Sequence, residues 1–464
     1  MDTQKYFIHL QKGTLHPPVL WRRPEDDDDA AAGIPWVLLD LEAYVADHRN
    51  ATTAYSLSES AKEIQVTFFF ARPPRFSYFC VFCPGRDHTE IPIEPKILAM
   101  DEGLVLLRIF VSPEKELNRD RDFYLYQANG AEDGGPPSLI RLPRLPGLVR
   151  CLFDYDNVGL LRCNEKTDFI VAALCDVDAG RFMDEGFKER EGQFALFVYN
   201  SKCQAWSVNV VSLDHQQLRK QPVPGEWFLH FNSKVITIGG EAGTMGFVDL
   251  WRGIILCDVL EGNPNLSYVP LPKPKVQGRL RRGEAGLHRD IAVIRGQIKY
   301  VELETTGDPS LFRTRRYAND GWMAWKYSRP VAAANSAAAA NSSSDDWRME
   351  CAIGSSDDIC VDDNPHLELL PRPEDKEGRP LPPFKGLAIC HPALSLSGDG
   401  DDDTVYFMNK MFPGDDKAWV IAVNMRTKEL LGVARFAAER TDVVIFTYAH
   451  SRISKYLTGG GIIY

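Results

Sequence analysis

Helical periodicity is what this sequence has least of. Apolar residues recur at every second position or in short runs, and seldom at the spacing that would make one helical face. Only "LDHQQLRKQ" (213–221) and "SRISKYL" (451–457) read as short helices. No run approaches the roughly 18 apolar residues of a membrane-crossing helix, so no membrane partner is expected. Basic excess is missing as well. The 53 Lys and Arg against 64 Asp and Glu leave a formal charge of -11. That balance argues against a nucleic-acid partner, because phosphate contacts need a basic face. The one basic stretch, "KPKVQGRLRRG" (273–283), is bounded by Pro and Gly and reads as a solvated loop.

Catalytic signatures are absent too. There is no G-x-S-x-G, no H-E-x-x-H and no phosphate-binding Gly-rich loop followed by Lys and Ser or Thr. "GGEAGTMG" (239–246) reads as a turn between strands, with no helix N-terminus behind it to hold phosphate. The ten His are isolated, and His230 in "WFLHF" and His391 in "AICHPAL" read as core residues. "CVFC" (Cys80 to Cys83) has half a zinc spacing, but no second ligand pair follows and a strand would turn the two thiols to opposite faces. Asp399, Asp401 and Asp403 in "GDGDDDTVYF" match the start of a calcium loop, yet Thr404 and Lys410 replace the Gly and Glu it requires. No metal and no cofactor is expected. The ten Cys are scattered, mostly inside apolar runs, where a free thiol behaves as a small hydrophobe. The N-terminal stretch has no signal-peptide apolar region, so a reducing compartment, cytoplasmic or nuclear, is expected.

What the sequence does have is strands. Runs such as "IQVTFFFA" (64–71), "RFSYFCVFC" (75–83), "DFIVAALC" (168–175) and "TVYFMNK" (404–410) alternate with Gly, Pro, Asn and Asp clusters. Four stretches repeat a strand–turn–strand unit: 123–143, 196–211, 255–272 and 420–436. Grouping the strands around them predicts an all-β, β-propeller-like fold of about six antiparallel β-meander blades, since radial repetition hides strand edges. The alternative is two packed β-sandwich domains. Residues 1–33 are expected to be disordered and 34–464 to form a single propeller-like domain. The Ala/Ser-rich 329–346, flanked by Trp-bearing strands, reads as a disordered loop inserted within a blade.

"GFVDLWRGIILCDVL" (246–260) concentrates the chemistry-bearing residues Asp249, Trp251, Arg252, Gly253, Cys257 and Asp258. It reads as a hairpin turning at Arg252-Gly253, with Gly253 supplying a positive φ and Arg252 exposed or stacked on Trp251. Alternation places Phe247, Asp249 and Trp251 on one face. Neither Asp has a local His, so no catalytic residue is assigned.

This stretch, followed by "LSYVPLPKP" and "RDIAVIRGQIKYVEL", resembles the core motif of the plant, grass-expanded family called domain of unknown function 1618, at about 225–330. Upstream, "WVLLDLEAYVADHRNATTA", "PSLIRLPRLP" and "FIVAALCDV" extend the resemblance over about residues 35 to 435. The family has no established activity, cofactor or catalytic residue to carry over. "FVYNSKCQAWSV" is also similar to hairpins of F-box-associated, kelch-like propellers, although the first 35 residues hold no F-box-like helical segment. The function read from the sequence is a non-enzymatic interaction module whose propeller surface binds a protein or peptide partner. Two alternatives stand beside it: an enzyme with an active site in a central propeller funnel, and a ubiquitin-ligase-associated substrate adaptor lacking an F-box.

Overall fold

Alternation of large β-formers with small or polar residues produces strands throughout the computed structural model. It describes residues 10, 12–18, 33–58, 61–84, 91, 93–111, 122–128, 135–144, 156–163, 168–176, 191–220, 227–262, 264–276, 284–306, 321–331, 343–361, 363–375, 377–397, 403–412, 415, 417–437 and 448–457. Most of 1–33 and of 329–346 lies outside these. The chain divides into two compact units, one of residues 1–144, 410–420 and 434–464, the other of 145–409 and 421–433.

In the first unit, β1 (Val37–Asp40), β2 (Tyr44–Val45), β3 (Ala54–Leu57), β4 (Glu63–Phe69) and β5 (Phe76–Phe82) share one sheet. It departs from a meander, because β1 and β2 both run parallel to β5. A second sheet is the antiparallel meander β6 (Lys96–Asp101), β7 (Leu104–Ile109), β8 (Asp122–Gln127) and β9 (Ser138–Arg141). Leu39, Val66, Phe68, Phe79, Leu107 and Tyr126 fill the core of this unit. Cys80 and Cys83 are buried in separate apolar clusters, as opposite strand faces require.

In the second unit come three four-stranded meanders. The first is β10 (Val158–Arg162), β11 (Phe169–Asp176), β12 (Gln193–Asn200) and β13 (Ala205–Ser212). After the short helix α1 (His215–Leu218) follow β14 (Lys234–Gly239), β15 (Thr244–Asp249), β16 (Gly253–Asp258) and β17 (Leu266–Pro270). The third is β18 (Arg289–Ile294), β19 (Gln297–Thr305), β20 (Trp322–Pro330) and β21 (Arg348–Ile353). A sixth sheet orders β22 (Ala388–Leu394), β23 (Thr404–Lys410), β24 (Lys417–Asn424) and β25 (Glu429–Ala437). The final strand among the described residues, β26 (Tyr448–Ser451), returns to the first sheet and pairs antiparallel with β1, Val37 opposite Ser451.

The fold class is therefore all-β and propeller-like, with six sheets. Inside the second unit the leading strands lie side by side, β10 by β14, β14 by β18 and β18 by β22, a radial order that packed sandwiches lack. Asp290 on β18 fastens two neighbours at once. One carboxylate oxygen accepts from Lys234 Nζ on β14 at 2.6 Å, the other from the Leu394 N–H on β22 at 3.0 Å. Outer edges are covered where the chain provides for it. Gln217 of α1 accepts the Tyr268 N–H of β17 at 3.0 Å, and Trp347 Nε1 donates to Pro270 O at 2.9 Å. Exposed edge groups would otherwise invite pairing with other chains.

Candidate functional site

The hairpin β15–β16 forms, but it turns earlier than the Arg-Gly pair suggests. Asp249 and Gly253 are the last paired residues, and Leu250, Trp251 and Arg252 make the turn. The Arg252 N–H closes it on Asp249 O at 2.9 Å. Gly253 is a strand residue, and it is not among the residues with positive φ. Its glycine is needed for space. A Cβ there would sit 2.4 Å from the Tyr268 ring, which packs across it from β17. Positive φ is used one sheet further on, at Arg295 and Gly296 between β18 and β19, a pair suited to a mirror-image two-residue turn.

Asp249 is completely buried and fully used. Oδ1 accepts the Trp251 N–H at 2.8 Å, while Oδ2 accepts the Phe231 N–H at 3.0 Å and Arg252 Nη1 at 2.9 Å. The carboxylate thus ties its own turn to the connection entering β14. His230, next along that connection, lies among Phe194, Phe228 and Tyr268. Its Nε2 is 3.1 Å from Phe247 O, a group that only accepts, so Nε2 carries the proton. Burial holds the imidazole pKa below its ordinary value, against the opposing pull of Asp249. A neutral ring is the result.

Trp251 leaves the face of Phe247. Phe247 packs with Met245, Ile255, Cys257 and Tyr268, whereas Trp251 joins Val248, Leu250 and Ile254 on the other side, because a turn residue no longer follows the strand's alternation. Nor does Arg252 stack on it. The Arg289 guanidinium from β18 covers the indole, 4.5 Å from its centroid, and Arg252 lies over Phe231 at 5.5 Å. Arg289 is itself buried and held by Leu250 O at 3.0 Å and by Glu302 Oε1 of β19, its register partner, at 3.0 Å.

Asp249, Trp251, Arg252 and Gly253 are therefore brought together at one end of the hairpin. Cys257 and Asp258 sit at the other, about 16 Å along β16 at 3.3 Å per strand residue. There Thr244 Oγ1 donates to Asp258 Oδ1 at 2.5 Å, and burial pushes the Cys257 thiol up to about 12. A thiol so protonated is a poor nucleophile. Among the described residues no group of three His, Cys, Asp or Glu is placed to hold a metal ion. Asp403 of the acidic turn makes ion pairs with Lys326 at 3.0 Å and with Arg426; Asp399 and Asp401 lie outside the described residues. Arg289, Glu302, Phe231 and His230 were not identifiable as members of this cluster from spacing. Their signal is the β18–β19 register and the alternation of "WFLHF", which turns Phe228 and His230 inward.

Among solved structures, the chain is similar to the WD40 domain of SCAP from fission yeast, at 10% identity and a TM-score of 0.29, covering 87% of this chain and 89% of that one. A search of the curated proteins found no match. The model of a family described as protein of unknown function (DUF1618) matches residues 247–406, from Phe247 in β15 to Tyr406 in β23.

Proposed function

We propose that this chain is a non-enzymatic interaction module whose propeller-like sheets hold a surface for a protein or peptide partner. One observation carries the reading. Large apolar side chains stay exposed on backbone that is firmly anchored, with Trp227 40% and Phe231 48% accessible. Beside them, the charged residues of the hairpin are used as fasteners. Rigid backbone presenting aromatic and Arg side chains is the usual make-up of a binding hot spot. A reducing compartment, cytoplasmic or nuclear, belongs to the same proposal, in keeping with cysteines scattered through apolar strand runs. No described helix is long and apolar enough to cross a membrane.

Affinity purification of the tagged full-length chain, with quantitative mass spectrometry, tests the proposal. A partner retained at fixed stoichiometry through high-salt washing supports it. Ubiquitin-ligase subunits among the retained proteins would specify the adaptor form. Recovery of the chain alone, in repeated preparations, would overturn the interaction reading.

A further inference from the structure

Resting on the interaction reading, we propose that Trp227, Leu229, Phe231 and Arg252 form a docking strip for an extended peptide segment that carries a carboxylate. The segment 227–231 alternates strictly. Phe228 and His230 are buried, Leu229 is half-buried, and Trp227 and Phe231 are exposed. Its inward half is pinned at several points. The Phe228 N–H donates to Glu191 Oε1 at 2.6 Å, His230 bonds Phe247 O, and the Phe231 N–H donates to Asp249. The outward half is therefore preorganised, which lowers the entropy cost of binding.

Spacing selects the conformation of the occupant. The alternating burial of 227–231 is that of extended backbone, whose geometry would set Trp227, Leu229 and Phe231 about 6.6 Å apart on one side. An extended peptide repeats its same-side residues at that interval, whereas a helix repeats at about 5.4 Å and drifts out of step. Charge selects the rest. The carboxylate beside Phe231, that of Asp249, is completely buried and cannot receive a cation from solution. Arg252 is different. Its side chain is 26% exposed, it lies over the Phe231 ring, and among the described residues its side chain donates only to Asp249, through Nη1. The remaining guanidinium N–H groups suit a planar carboxylate. At the Trp227 end stands the Glu191 carboxylate, partly exposed, so the strip is polar along its length and fixes the direction of the peptide.

The test uses the purified full-length chain and synthetic ten-residue peptides with three Leu at alternate positions. A single Asp, Asn or Lys follows the third Leu, and a fourth peptide carries the Asp before the first. Titration calorimetry should rank Asp tightest, at least tenfold over Asn, with Lys and the displaced Asp weaker still. Arg252→Gln should abolish the Asp preference, and Trp227→Ala or Phe231→Ala should weaken every peptide about tenfold. Because all three side chains are at least partly exposed, melting temperatures should hold, which separates lost binding from lost folding. Equal binding of Asp and Asn peptides, a preference that survives Arg252→Gln, or no binding at millimolar peptide would each overturn the strip. If the purified partner is retained equally by the Trp227→Ala/Phe231→Ala/Arg252→Gln variant, the strip fails and the interaction module stands. If neither peptide nor partner binds the wild type, both fail.

Discussion

Tyr268 occupies the volume that any side chain at position 253 would need, so Gly253→Ala forces its ring, or the β16–β17 spacing, to shift. Overpacking of this kind costs about 1–3 kcal/mol. Urea denaturation should show that loss, and Tyr268→Leu in the same chain should return part of it, a non-additivity expected of touching residues. His230 makes a second prediction at this scale. Its folded pKa lies below the ordinary 6.5 because burial disfavours the charged ring. The unfolded chain therefore takes up a proton before the folded one does. Stability is intact above about pH 6.5 and declines as the pH falls below it. His230→Gln should be less stable at neutral pH, but its unfolding free energy should slope less steeply between about pH 7 and 5.

At the scale of elements, the β15–β16 turn depends more on its aspartate than on its arginine. Removing a completely buried carboxylate strands two backbone N–H groups and a cation. Asp249→Ala should therefore cost about 3–5 kcal/mol. Arg252→Ala removes a partner that is itself partly exposed and leaves both backbone N–H bonds to the carboxylate in place, so it should cost less, about 1–3 kcal/mol. Thermal unfolding of the two variants distinguishes them directly. The same turn marks the reach of sequence reasoning. Strand runs around 247 and 255 made the hairpin legible, and so did the Cys257 burial. Its tip was not, because Arg-Gly imitates a positive-φ turn while the actual closure uses the Asp249 side chain as a backbone cap. Arg289 and Glu302 became neighbours only through a register that the twelve intervening residues do not declare.

Across the whole molecule, charge holds sheets together as well as turns. Lys326 is completely buried between Glu350 Oε2 at 3.2 Å and Asp403 Oδ1 at 3.0 Å, with Lys299 also on Glu350 and Arg426 on Asp403. Burial opposes ionisation of both carboxylates, yet Lys326 and its companions outweigh it and hold each below its ordinary value. That stability is present above the unfolded carboxylate range, about pH 4, and is lost as the pH falls through the lower folded values. Lys326→Met should move acid unfolding, followed by circular dichroism, to higher pH. The six-sheet, propeller-like class was readable from strand spacing and turn residues. The parallel pairing of β1 with β5 was not, since apolar alternation sets a buried face and leaves strand direction open. Nor was the return of β26 to β1, more than four hundred residues away in the chain. That pairing has a consequence for biosynthesis. At a ribosomal rate of about 5–20 residues per second, β1 waits roughly 20–80 s for its antiparallel partner to be made. Through that interval Val37, Leu38 and Leu39 await the strand that completes their sheet, so the nascent chain should be a client of apolar-segment-binding chaperones until β26 has emerged.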